Sequence, residues 1–342
     1  MRYGVLLVPA LLAAGACTDS EQSTEPTAPA AAPAEAAVTA NATWQPRTDY
    51  PTDLYLATSA SYTNPSTLKS TLYVIGGATK PGGPAGSLTD AVRAYNVSTN
   101  AWSTKAKLPI RLRDANQVVE LNGKIYVSGG FSRYWDAARG VWRLSTSKAL
   151  YVYDVATNAW TRKADMPATS VHGVAAAYNG LIYVAVQCFD EALCGDFDHG
   201  AVWRYNPGTD RWVLESRVPH GETWHAGGGI IGGKLYVADD YGALDVYDLT
   251  TKVWTTGPQR PYRACSPAST TFQAKLYLVN CANDDGSDEA MLVFDPKTST
   301  WTPLAPAPRG SFATLSRVDV NGVNRLELVG GAKAGSNWQY VP

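Results

Sequence analysis

Six tryptophans in this chain are each followed seven residues later by a proline: Trp44/Pro51, Trp102/Pro109, Trp160/Pro167, Trp212/Pro219, Trp254/Pro261 and Trp301/Pro308. The tryptophans themselves stand 58, 58, 52, 42 and 47 residues apart. A short offset held constant inside a long one that varies marks a repeated structural unit with loops of different length. A second register locks onto the first. Seven residues before five of the tryptophans lies an aromatic: Tyr95, Tyr153, Tyr205, Tyr247 and Phe294. The segments between them read as strand, polar turn, strand, so each is a hairpin.

Earlier in each unit an apolar, alternating run flanks a tight turn. Asn122-Gly123, Asn179-Gly180 and Gly232-Gly233 supply the positive φ that a two-residue hairpin loop needs. Two hairpins make a four-stranded antiparallel sheet, and radial repetition of such sheets gives a β-propeller with short, protected edges. The unit resembles the kelch repeat, which carries a diglycine after its second strand, a tyrosine in the third and a tryptophan in the fourth. The diglycine is present as Gly76-Gly77, Gly129-Gly130 and Gly330-Gly331; the other units hold Val186-Gln187, Asp239-Asp240 and Asn280-Cys281 there. The resemblance covers residues 41 to 342 and implies an all-β, six-bladed kelch-type propeller. The last unit has Tyr340 but no following tryptophan, while Trp44 precedes any complete unit. Residues 42 to 47 are therefore expected to pair with the strand around Trp338 to Val341 and close the last blade.

The domain is expected over 42–342, about fifty residues per blade. Residues 1–16 read as a secretory signal, with one positive charge, an apolar run from Val5 to Ala14 and small residues Gly15-Ala16 before Cys17. Ala14-Gly15-Ala16-Cys17 resembles a bacterial lipobox, which implies a lipidated Cys17 and attachment to the cell envelope, at the outer membrane facing the periplasm. Cleavage after Ala16 without lipid stays open. Residues 17–41, rich in Ala, Pro and Thr, cannot bury enough apolar surface to fold and read as a tether. With 29 basic and 30 acidic residues in the whole chain there is no basic field to hold nucleic acid.

Besides Cys17 there are four cysteines, an even number suited to an oxidising compartment. Disulfides are expected between Cys188 and Cys194, which flank a five-residue loop, and between Cys265 and Cys281, neighbours across a ladder turning at Gln273-Ala274. A zinc site is the competing reading, but no His or Cys pair has structural zinc spacing.

In propellers of this type the segment after each tryptophan–proline interval enters the innermost strand, so its side chains are expected to ring one channel mouth. That set is Asp53 and Tyr55; Arg111, Arg113 and Asp114; His172; His220, Glu222 and His225; Arg260 and Arg263; and Arg309. Arginines around a funnel could hold a carboxylate bidentately, with Glu or His moving a proton; tying blades together is the structural alternative. His220 and Glu222 share a strand face that His225 does not, so a three-ligand metal site is not expected. Asp239-Asp240 and the acidic turn at 283–288 are the places where calcium would go, although such turns are usually solvated loops. No Gly-x-Ser-x-Gly and no phosphate loop is present.

Aromatics outside the register are binding candidates: Tyr134, Trp135 and Trp142 in a long insertion, Phe131 to Lys148, and Trp224 beside the mouth. Three functions stand open. The first is an envelope-anchored, non-catalytic propeller binding a protein or carbohydrate partner. The second, implied by resemblance to six-bladed kelch mutarotases that act on sialic acid (N-acetylneuraminate), is a periplasmic sugar mutarotase or epimerase with Arg111, His172 and Glu222 as catalytic candidates. The third is a copper radical oxidase like galactose oxidase, which needs more blades and domains than this chain has length for. No cofactor is expected.

Overall fold

The spacing of seven between aromatic and tryptophan closes as a cross-strand pair: Tyr95 lies opposite Trp102, Tyr153 opposite Trp160, Tyr205 opposite Trp212, Tyr247 opposite Trp254 and Phe294 opposite Trp301. Their ring centroids are 4.9 to 5.1 Å apart. In the computed structural model, residues 43–186, 200–220, 226–261, 268–279, 291–308, 313–320, 322–331 and 335–341 are described. Residues 1–42 and all five cysteines fall outside them, and with them the signal, lipidation and disulfide expectations.

Among the described residues there are six four-stranded antiparallel sheets and one two-stranded hairpin. Blade I spans residues 58–104, blade II 119–163, blade III 174–217, blade IV 226–256 and blade V 268–304. Blade VI takes three strands, Ala313–Val320, Val323–Gly330 and Asn337–Val341, and its fourth is Thr43–Pro46. The expected closure is there: Thr43 pairs with Val341, Trp44 with Tyr340, Gln45 with Gln339 and Pro46 with Trp338. Trp44 and Tyr340, at opposite ends of the chain, reconstitute the aromatic pair at 5.2 Å.

The apolar residues sit between blades. Leu72, Val74 and Tyr95 of blade I cluster with Val318 and Val329 of blade VI, and Tyr73 and Ile75, on the alternate face, cluster with Ile125, Val127 and Tyr153 of blade II. Equivalent clusters fill the other four seams. Each fully buried Leu or Ile contributes about 1.5–3 kcal/mol, so the seams hold most of the favourable free energy.

Polar clamps set the seams' register. Asn158, left-handed at φ 54°, accepts from Ala106 N (2.9 Å) while Trp160 Nε1 donates to Ala106 O (2.9 Å). Asn100 and Trp102 hold Thr48 in the same way, and Asp210 and Trp212 hold Ala164. The motif Thr-Asn-Ala-Trp is thus a device for gripping the previous blade. The diglycine has its own cause. A Cβ on Gly76 would stand 2.4 Å from Leu112 O, and one on Gly129 2.3 Å from Ser170 O, because the next blade's entry segment runs against them. Gly77 N and Gly130 N donate to those same carbonyls at 2.7 Å.

Two expectations change in the structure. The insertion Phe131 to Lys148 is an ordered hairpin rather than a loop, with strands Phe131–Asp136 and Val141–Thr146 and cross-strand partners Trp135 and Trp142. Its side chains alternate, and Asp136 Oδ1 accepts from Arg139 N to set the turn, with Gly140 at φ 63°. The entry segments also do not run directly into the channel: each first passes through the seam between blades.

Candidate functional site

After each tryptophan the chain first plugs the seam and only then reaches the channel. The sixth residue on is buried between blades: Tyr50, Leu108, Met166, Val218, Arg260 and Ala307. In blades I and II its amide donates to the carbonyl two residues before the third strand, Leu108 N to Asp90 O (2.9 Å) and Met166 N to Lys148 O (2.8 Å). The proline that follows has no N–H to satisfy and ends the plug. The channel is reached only at the twelfth residue, Leu56, Asp114 and His172 in blades I to III, all left-handed at φ 51–57°. Their backbones are chained around the rim, Asp114 N to Leu56 O (3.0 Å) and His172 N to Asp114 O (3.3 Å).

Of the residues expected at the mouth, Asp114 and His172 therefore line the cavity. Arg111 turns away and donates to Leu88 O at 3.1 Å. Arg113 lies over the Phe131 ring (4.7 Å) and is ion-paired with buried Asp114. Its backbone exchanges two hydrogen bonds with Phe131, 2.9 and 2.8 Å, so the inserted hairpin is rooted at the rim. His172 Nε2 is 3.4 Å from Asp114 Oδ1. Burial, and next the charge of Arg113, hold His172 down at about 3. With Asp114 already neutralised by Arg113, His172 is a neutral imidazole at physiological pH.

His220 stands outside the cavity. Its Nδ1 is 2.8 Å from Oδ1 of Asp245, on the third strand of blade IV, and that hydrogen bond and charge push its pKa up. Arg260 is buried as a seam plug where other blades use apolar residues, and it donates to Asp239 O. Asp239, in the diglycine place of blade IV, accepts from Gly242 N and Ala243 N at 2.7 Å each. The absent diglycine and the charged plug are one joint substitution. Burial lowers Arg260 to about 10 and raises Asp239, each opposed by the other's charge. Glu222, Trp224, His225, Arg263 and Arg309 lie outside the described residues. Among the described residues no three His, Cys, Asp or Glu side chains gather as ligands for one ion.

The cavity measures about 480 Å3 and runs between the six inner strands. Its wall is mostly of small residues and hydroxyls, among them Ser59, Ser269 and Thr314, with Glu120 and Arg317 joining Asp114 and His172 as its ionisable groups. Ser59 Oγ bonds Thr314 Oγ1 (2.6 Å) and Ser316 Oγ (2.8 Å), joining blades I and VI. Gln117 crosses from blade II. Its Oε1 accepts from Ala175 N (3.1 Å), and its Nε2 lies within reach of Gly228 O and Ser269 O (3.2 Å each). Glycines 227–229 let blades IV and V approach closely, since a Cβ on Gly227 would stand 2.5 Å from Leu278 Cδ2 and one on Gly229 2.5 Å from Thr271 Cγ2. Neither Gln117 nor this glycine run was singled out by sequence. The available signal was positional: Ser59, Gln117 and Ala175 occupy the same place in units of 58 residues, and only one of them is long and polar.

The hairpin holds its aromatics in the open: Tyr134, Trp135 and Trp142 are 49%, 52% and 43% exposed. Trp135 and Trp142 meet edge to face at 5.3 Å, and the Arg133 guanidinium lies 4.0 Å over the Trp142 ring.

The family model of the Kelch motif matches residues 116–167, which hold the four strands of blade II and the hairpin. Kelch-like protein terF of Aspergillus terreus is 28% identical over 278 residues, covering 73% of this chain and 57% of that protein. The chain is a kelch-repeat β-propeller. Kelch repeat and BTB domain-containing protein 12 of Danio rerio is 30% identical over 206 residues, 55% of this kelch propeller and 31% of that protein. The matched region spans from about one fifth to three fifths of the length of the curated relatives. Among solved structures, that of YjhT superposes with a TM-score of 0.64 at 14% identity, covering 85% of this chain and 95% of the other, a likeness of fold. Kelch propellers typically bind proteins.

Proposed function

We propose that this chain is a non-catalytic, envelope-anchored kelch propeller that holds a protein or carbohydrate partner at the rim where the channel mouth and the blade II hairpin meet. The observation that carries the reading is the contrast between two groups of side chains on that rim. Arg113, Asp114 and His172 bond to one another, whereas Tyr134, Trp135 and Trp142 are held open on a hairpin bridged to the rim. Rigid, exposed aromatics beside arginine have the composition of binding hot spots. Attachment is through a lipidated Cys17, with residues 18–41 giving reach, and the domain carries Cys188–Cys194 and Cys265–Cys281 disulfides.

The test has two arms. Photo-crosslinkers placed at Trp135 and at an outer-edge site such as Val213 would be compared in envelope preparations. A discrete adduct from Trp135 alone supports the reading; no adduct, or the same adducts from both sites, counts against it. Mass of the mature protein, before and after reduction with alkylation, reads the lipid and the disulfides directly.

A second reading, a sugar mutarotase or epimerase, draws on the polar cavity of about 480 Å3, a size suited to a small solute. Anomeric exchange of N-acetylneuraminate followed by NMR, accelerated by the protein and lost in His172→Ala, which alters a cavity-lining residue, would replace the non-catalytic reading with this one.

A further inference from the structure

Two guanidiniums converge beside the hairpin. Arg111 Nη1 donates to Leu88 O at 3.1 Å, and Arg133 Nη1 lies 3.3 Å from both Ala85 O and Gly86 O. All three carbonyls belong to a single 3-10 turn, Ala85–Ser87, and the residue after it. The hairpin therefore leans on blade I, and its arginine is fixed against a blade it does not belong to. Burial, and next the charge of Arg111, lower the pKa of Arg133. The nearby carboxylate, Asp90, is shared with Lys107 at 3.8 Å. This corner holds three cations to one anion.

The hairpin repeats the imbalance. Between residues 131 and 148 there are four basic side chains, Arg133, Arg139, Arg143 and Lys148, and one acidic, Asp136, a net +3 in a chain whose total is −1. Asp136 serves both Arg139 and Arg143 at 3.0 Å, and those arginines stay largely exposed. Among the exposed large apolar side chains of the hairpin, three are aromatic and one, Val141, is aliphatic. A patch of flat rings and excess guanidinium, poor in aliphatic side chains, suits a ligand that presents an apolar ring face and a carboxylate on the same unit. Uronate sugars do so, and a polymer of them repeats the pairing along its length.

We propose that Arg111, Arg133 and the Trp135–Trp142 pair form a subsite for an acidic polysaccharide, with a uronate carboxylate between the two guanidiniums and a sugar ring against an indole. The subsite rests on the binding reading above and names its ligand class. It is separate from the channel cavity, whose lining includes none of these four residues.

The experiment is affinity electrophoresis of the whole chain through gels containing polygalacturonate, alginate or neutral dextran, with and without 0.5 M salt. Wild-type protein should be retarded by the polyuronates and not by dextran. Arg111→Gln and Trp135→Ala should each weaken retardation at least tenfold, while Lys275→Gln on blade V should not change it. Thermal melts of the same variants separate lost binding from lost folding, and Arg111→Gln leaves the hairpin's own contacts in place. Equal retardation by dextran, retardation indifferent to the tryptophan, or none at all would each overturn the subsite. A specific protein adduct at Trp135 without polyuronate retardation would overturn it while leaving the binding reading intact.

Discussion

Glu327 is a residue whose ionisation the fold resists. It is fully buried on the second strand of blade VI, with Oε1 accepting from Gln339 Nε2 at 2.8 Å and Oε2 left without a partner. Burial raises its pKa to about 8, against the opposing pull of the Gln339 hydrogen bond, Arg47 and Arg325. The folded state therefore keeps a proton that the unfolded chain gives up above the ordinary glutamate value. The stability this proton supports is complete below about pH 4.5 and drains away as pH rises towards 8, by about 3 kcal/mol at neutrality. Glu327→Gln reproduces the protonated group and should flatten that loss. Urea midpoints at pH 5 and pH 8 would show the variant gaining on wild type at the higher pH; parallel changes in both proteins would defeat the account.

At the scale of the element, the hairpin clamp and the seam plug give two separate expectations. Trp160 Nε1 donates to Ala106 O across a seam, but the buried Trp44 Nε1 of the closing strand has no partner among the described residues. Trp160→Phe should therefore cost about 1 kcal/mol more than Trp44→Phe, the worth of one net hydrogen bond, read as a difference in urea midpoint. In blade IV, Arg260→Leu alone removes the donor to Asp239 O and the cation that opposes the burial of Asp239, and should destabilise by about 1–3 kcal/mol. Restoring the diglycine with Asp239→Gly and Asp240→Gly in the same chain should recover most of it, and failure to recover would mean the two features are unrelated. These elements also mark where sequence reading works. The aromatic–tryptophan pairs were legible because one geometry is written six times at a fixed offset. The Arg260–Asp239 exchange was legible only as two separate irregularities, since nothing in the spacing says that positions 21 apart face each other across a plug. His220 and Arg111 were placed at the mouth because the turn that carries the chain past the seam leaves no compositional trace.

For the molecule as a whole, closure is the decisive feature. Six blades meet through contacts between successive inner strands, Thr58–Thr63 against Ala313–Val320 included, and the sixth blade gains its outer strand only when Thr43–Pro46 pairs with Asn337–Val341. Removing residues 41–50 takes away that strand, Trp44, the Arg47 hydrogen bond to Tyr95 and the Tyr50 plug, and should lower the melting temperature sharply; an unchanged melt would show that the ring does not depend on this strand. The number of blades and the closing strand followed from counting tryptophans, whereas the cavity's character did not, because it is set by small side chains, one glutamine and a few ionisable groups that follow no repeated signature. The closing pair also has a mechanical side. Thr43 and Val341 are directly opposed at the same end of an antiparallel ladder, so tension applied to these two residues peels the ladder open one pair at a time instead of shearing all four at once. Pulling between 43 and 341 in an optical trap should release this strand at a lower force than pulling between 46 and 341, which loads the same bonds in parallel. Any load borne by the segment before Thr43 would therefore be felt first at this seam, and the propeller would yield there before any other blade is disturbed.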